Sequence, residues 1–220
     1  MIATPSCYLV DLDDTLFSET EYVYSGYRVV ATVLASHSGL SELEMLARLR
    51  YEFLKYGRIG AFDRLVRELG VRTLTVADLV VTYREHSPKI ALYPGAKEAL
   101  ARLRQSAPIA IVTDGNGVTQ RRKVEALALA EQVDAVVYCW ELEAPKPSIE
   151  GYRRAAEQLG RPLERAFIVG DDPFHDIAVA TTLGLPAARI RSGRLMTLDW
   201  PVAGVKDHAS FASFVATELP

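Results

Sequence analysis

Cysteine is scarce in this sequence: only Cys7 and Cys139 occur in 220 residues, each inside an apolar run. That excludes a disulfide framework and points to buried free thiols in a reducing compartment. No window approaches the roughly 18 consecutive apolar residues of a membrane span. The chain does not open with a basic segment leading into a long apolar stretch, so no signal peptide is expected and the cytoplasm is the expected location. Neither sign of charge dominates: 25 Lys and Arg stand against 28 Asp and Glu, a net charge of −3. Nucleic acid and anionic membranes are therefore not expected as partners. The basic patches are short, and Arg121-Arg122-Lys123 reads as a solvated helix face. Internal repeats and low-complexity segments are also lacking.

What the chain has is a change of pattern. Residues 18–90 show helical spacing over Glu21–Ser36, Ser41–Tyr56, Ala61–Leu69 and Val76–His86, with no convincing strand. Leu43, Leu46, Leu49, Phe53 and Leu54 recur at three- and four-residue steps, and Ser41-Glu42-Leu43-Glu44 has the form of a capping box. On either side the pattern differs. Apolar runs at Cys7–Val10, Ile109–Val112, Ala135–Tyr138, Ala166–Val169 and Ala187–Ile190 alternate with helical segments at about 94–104, 118–129, 148–159 and 176–183. Strands that alternate with helices, and that lack a polar face, indicate a doubly wound α/β parallel sheet covered on both sides. The expected organisation is an α/β core of residues 1–17 and 91–220, interrupted by a small α-helical domain over 18–90. The last thirty residues are less readable, with a closing helix expected over Phe211–Leu219.

Polar groups follow four of these strands. Cys7–Val10 runs into Asp11-Leu12-Asp13-Asp14-Thr15, and Ile109–Val112 into Thr113-Asp114-Gly115. Ala135–Tyr138 leads to Lys146 between Pro145 and Pro147, and Ala166–Val169 to Gly170-Asp171, with Asp176 five residues beyond Asp171. In an open parallel sheet these ends share one edge, where ligands bind. Clustered carboxylates repel one another, and a divalent cation or a basic side chain among them relieves that. Asp11 and Asp171 offer the hard oxygens that Mg²⁺ prefers. Thr113, before a glycine-rich turn and a helix, can donate to a phosphate. Lys146 supplies a point positive charge, and Asp13 can serve as general acid and base. Asp14, Asp114 and Asp172 read as supporting groups, and His175 as an exposed or structural histidine.

In this order the four motifs resemble those of the haloacid dehalogenase superfamily, and specifically its magnesium-dependent phosphatases; the resemblance spans nearly the whole chain. It implies a Rossmann-like core, with the helical insertion as the small cap that selects substrate. It implies Asp11 as the nucleophile that forms an aspartyl-phosphate, and Asp13 as the proton donor to the leaving alcohol. Mg²⁺ would be held by Asp11, the Asp13 backbone carbonyl and Asp171, with Asp176 binding it through water or orienting Lys146. Thr113, Asp114, Gly115 and Lys146 would hold the phosphate. The dehalogenases of the superfamily lack the second aspartate, so Asp13 favours phosphate esters; phosphomutases keep both. A phosphoacceptor signalling domain would place an acidic pair earlier and carry no helical insertion. The expected partner is a small phosphate ester (a nucleotide, sugar phosphate or phosphoglycolate), acted on by a monomer or homodimer. Arg58, in the loop Lys55–Gly60, is the candidate specificity residue, and Tyr22, Tyr24 and Tyr27 are aromatic candidates.

Overall fold

A computed structural model describes residues 5–219. The chain divides into two compact units, Met1–Glu19 with Ile90–Pro220, and Thr20–Lys89.

The first unit is built on a six-stranded parallel sheet in the order β3-β2-β1-β4-β5-β6. The strands are β1 (Cys7–Val10), β2 (Ile109–Thr113), β3 (Ala135–Tyr138), β4 (Ala166–Gly170), β5 (Ala187–Ile190) and β6 (Lys206–His208). Every residue of β1, β2, β4 and β5 is buried, as strands with helices on both faces must be, including the one charged residue among them, Arg189 of β5. One face packs Leu9, Val112 and Ile168 against Tyr152, Ala155, Ile177 and Ala180. The buried free thiols of Cys7 and Cys139 belong to the same cluster. On the other face Tyr8, Phe167 and Phe214 form a chain of tilted rings.

The strand order reverses around β1, which pairs with β2 on one side and β4 on the other. Val10 lies opposite Ile111 and Val169, so Asp11, Val112 and Gly170 come level just beyond it. That junction is the topological switch point, where a parallel sheet opens a crevice at its carboxyl edge. β6 escapes a reading of the sequence because Lys206-Asp207-His208 is short and polar. It is an edge strand, where one side stays open to solvent.

The helices are α1 (Glu19–Ser38), α2 (Glu42–Tyr56), α3 (Ala61–Leu69), α4 (Val76–Glu85), α5 (Ala96–Ser106), α6 (Gly117–Ala126), α7 (Glu150–Gln158), α8 (Asp176–Leu183) and α9 (Phe211–Glu218). α5 begins at Ala96, not Pro94, because Gly95 takes a left-handed conformation before it. α6 stops at Ala126, short of the expected 129, because Ala128 is left-handed and a tighter turn follows.

The second unit contains α2, α3, α4 and nearly all of α1. Val23, Tyr27, Val30 and Leu34 of α1 pack with Met45 and Leu49 of α2, Leu65 of α3 and Leu79 of α4. The capping box at Ser41 forms: its hydroxyl accepts from the Glu44 amide at 3.3 Å, and the Glu44 carboxylate accepts from the Ser41 amide at 3.0 Å. Tyr22 and Tyr27 are core residues of this unit, in edge-on contact with Tyr83 and Phe53 respectively. No helix among the described residues is long and apolar enough to cross a membrane.

Candidate active site at the carboxyl edge of the sheet

Asp11 follows β1 directly, its amide still bonded to the Val169 carbonyl at 2.8 Å. Both oxygens of its buried carboxylate are held. Oδ1 accepts from Lys146 Nζ at 2.6 Å and Oδ2 from the Thr15 hydroxyl at 3.0 Å. Thr15, four residues on in the same turn, thus fixes the second Asp11 oxygen. Lys146 reaches Asp11 because its own amide is pinned to Asp114 Oδ2 at 2.9 Å, fixing the loop after β3. Its ammonium also donates to Asp176 Oδ1 at 2.7 Å, an oxygen that accepts from the Tyr152 hydroxyl at the same distance. Burial opposes charge on Lys146, but Asp11 and Asp176 outweigh it and hold the ammonium protonated well above its ordinary range.

Asp171 follows β4, and Asp176 opens α8. Gly170 is required between the strand and this pair: a Cβ there would lie 2.3 Å from the Asp176 carboxyl. Oxygens of Asp11, Asp171 and Asp176 all lie within 4.8 Å of one another. Burial pushes the Asp11 carboxyl up, Lys146 pulls it down, and Asp176 raises it again; the net direction is up. Asp171 is pushed up by burial and then by the charges of Asp11, Asp176 and Asp14. Three carboxylates thus share this corner, and Lys146 pairs with two of them, Asp11 and Asp176. The excess negative charge and the hard oxygen donors fit a divalent cation such as Mg²⁺. Arg189 of β5, fully buried, steadies this corner by donating to the Asp171 carbonyl at 3.3 Å and the Leu195 carbonyl at 3.1 Å.

Asp13 occupies the other side of the acidic turn. Its Oδ1 accepts from Lys123 Nζ at 2.6 Å and its Oδ2 from Gln120 Nε2 at 2.8 Å. Gln120 also donates to the Thr113 hydroxyl oxygen at 2.6 Å. Gly115 turns the chain at φ 121° after Thr113 and Asp114, and Asn116 then caps α6 by accepting from the Thr119 amide at 3.3 Å. Asp14 takes φ 54°, and its carboxylate accepts from the amides of Glu19 at 2.8 Å and Arg194 at 3.1 Å. The expected site residues Asp11, Asp13, Thr113, Asp114, Gly115, Lys146, Asp171 and Asp176 therefore all belong to this edge.

Other expectations fall elsewhere. Arg58 belongs to the second unit, in the exposed turn between α2 and α3. His175 is exposed and pairs with Asp172 at 2.7 Å. Lys123 is not on a solvated face; it is 1% exposed, whereas its neighbour Arg121 does lie outside, paired with Glu141. Reading the sequence missed Lys123, Gln120, Tyr152 and Arg189. For the first two a signal existed: Gln120, Lys123, Val124 and Leu127 share one stripe at helical spacing, and two polar residues interrupt it. Tyr152 gives no such signal, since a tyrosine in a helix is ordinary; Arg189 does, since an arginine within a strand covered on both faces must find a buried partner.

Residues 8–190 match the haloacid dehalogenase-like hydrolases. A glyceraldehyde 3-phosphate phosphatase from Pyrococcus furiosus is 27% identical over 219 residues, covering 96% of this chain and 88% of that protein. One of the same description from Methanocaldococcus jannaschii is 26% identical over 204 residues, covering 87% of each. In fold, the chain superposes on a HAD phosphatase from Thermococcus onnurineus with a TM-score of 0.64, at 24% identity and 96% coverage of both chains. The chain belongs to the haloacid dehalogenase-like hydrolases, among the phosphatases of that superfamily.

Proposed function

We propose that this phosphatase hydrolyses a small phosphate monoester in two steps through an aspartyl-phosphate on Asp11, with Mg²⁺ as its cofactor. The observation that carries the reading is the Asp11 carboxylate, fixed at one oxygen by Lys146 and at the other by Thr15, with Asp13 two residues on. A fixed carboxylate loses little freedom when it attacks phosphorus. Asp13 protonates the departing alcohol and then takes a proton from the water that hydrolyses the acyl phosphate. Thr113 and Lys146 stabilise the negative charge on the phosphoryl oxygens. Asp11, Asp171 and Asp176, with the Asp13 backbone carbonyl, would hold Mg²⁺, whose charge would offset that of the substrate phosphate when bound. The presence of Asp13 supports an ester substrate over a halogenated acid, since an alkoxide needs a proton on leaving and a halide does not.

The helical unit serves as the substrate-selecting cap, with Arg58 as a specificity residue. The relatives act, by their descriptions, on glyceraldehyde 3-phosphate. A short phosphorylated sugar or aldehyde is therefore the first class to assay, ahead of nucleotides and phosphoglycolate.

The test is phosphate release from a panel of metabolite phosphates, with Mg²⁺ and with EDTA. Turnover is expected only with the metal, and Asp11→Asn should abolish it. Undiminished turnover in Asp11→Asn would sink the covalent route.

A further inference from the structure

The buried stripe of α6 ought to be apolar, yet Gln120 and Lys123 are both 1% exposed on it. Burying an ammonium is costly unless it is paired and hydrogen-bonded. Lys123 is paired with Oδ1 of Asp13, and its Nζ lies 5.8 Å from the centre of the Phe17 ring. The amide nitrogen of Gln120 carries two hydrogens, and each has an acceptor, Oδ2 of Asp13 and the hydroxyl oxygen of Thr113. One helix face therefore grips both oxygens of the second aspartate and the hydroxyl of the second motif. Three oxygen atoms of two groups are set by two side chains one turn apart.

We propose that Lys123 and Gln120 are positioning residues that hold the Asp13 carboxyl in register with the leaving-group oxygen and direct the Thr113 hydroxyl hydrogen away from Gln120. The inference rests on the proton-transfer role given to Asp13 above. Each carboxylate oxygen has a second lone pair, so the grip leaves room for the proton that Asp13 must carry. As an Asp11 oxygen bonds to phosphorus, the bond from phosphorus to the alcohol oxygen breaks, and its electron pair stays on that oxygen. The oxygen takes the proton from the Asp13 carboxyl, leaving a carboxylate that the Lys123 ammonium and the Gln120 amide already face. Because Thr113 accepts from Gln120, its own hydrogen is free to donate to a phosphoryl oxygen.

The readout is the dependence of kcat/KM on the leaving group, measured over alkyl phosphates, phenyl phosphate and p-nitrophenyl phosphate. A good leaving group needs no proton at departure; an alkoxide does. In Lys123→Met, kcat/KM for an alkyl phosphate is expected to fall about 10²-fold, and for p-nitrophenyl phosphate by less than about tenfold. Gln120→Leu, which removes no charge, is expected to tilt the series in the same direction and carries the test alone if Lys123→Met does not fold. Asp13→Asn is run beside them. A uniform drop across the series in the α6 variants, with a steepened series in Asp13→Asn, would overturn the positioning role alone. An unchanged series in Asp13→Asn would overturn the proton-transfer role and this inference together.

Discussion

In the helical unit Arg48 of α2 meets Glu68 of α3 with 42% and 56% of their side chains exposed; at the sheet edge Lys146 meets Asp11 and Asp176 at 3%, 10% and 2%. The residue types are alike, but the surroundings are not. In water the first pair is screened and gives back in side-chain entropy much of what attraction contributes. At the edge the charges have lost their water, so each is fixed by the others, and the net excess is negative. The helical unit is held by its apolar cluster and by caps such as Ser41. The sheet unit has a buried core large enough to hold carboxylates where they repel. The exposed pair of the first region is loosely held, while in the second region each charge is fixed by its neighbours.

The contrast breaks if removing either cation has the same consequence. Lys146→Met leaves Asp11 and Asp176 buried without their counter-ion. It is expected to lower kcat about 10²–10³-fold and to cost about 3–5 kcal/mol in urea unfolding. A variant with normal kcat would show that the edge tolerates loss of its one shared cation.

Metal removal sharpens the same point. The Asp11 and Asp171 carboxyls are raised by burial and by neighbouring charge, so without metal the folded state binds protons more readily than the unfolded state. Their contribution to stability is present below the ordinary carboxylate range and is lost as pH climbs through the raised values. In EDTA the melting temperature should therefore fall as pH rises from above about 4 through the raised Asp11 value of about 8, by roughly 2–4 °C for each kcal/mol lost. With saturating Mg²⁺ that loss should largely disappear; identical pH profiles with and without metal would contradict the site. The smallest effect is expected at the exposed pair. Arg48→Ala should cost less than about 1 kcal/mol and leave kcat unchanged, with added salt narrowing the difference further.

The sequence carried the architecture because each central strand is an unbroken apolar run and each run ends in a polar motif. Cys7–Val10 before Asp11 and Ala166–Val169 before Gly170-Asp171 need only local pattern and the rule that parallel strands present one edge. Lys123 was misread because the run Arg121-Arg122-Lys123 looks uniform along the chain, whereas a helix turns about 100° per residue and sends adjacent side chains different ways. Arg121 goes to Glu141 and Lys123 to Asp13. Tyr152 and Arg189 act on Asp176 and on the Asp171 carbonyl through contacts between elements, which one-dimensional spacing does not encode. β6 failed for a different reason: an edge strand of three polar residues has neither length nor pattern.

Where the chain leaves the sheet unit and where it returns lie side by side. Phe17 bridges to Leu92, and the Tyr93 amide bonds to the Leu16 carbonyl at 2.8 Å. To the sheet, everything in between is one loop with its ends already joined. Closure entropy grows only with the logarithm of loop length, each doubling costing about 0.6 kcal/mol. Enlarging, shrinking or exchanging the inserted helices therefore makes little demand on the strands of the sheet. The sheet unit can accommodate a change in the inserted helices as long as Phe17 stays joined to Leu92 and Tyr93 to Leu16.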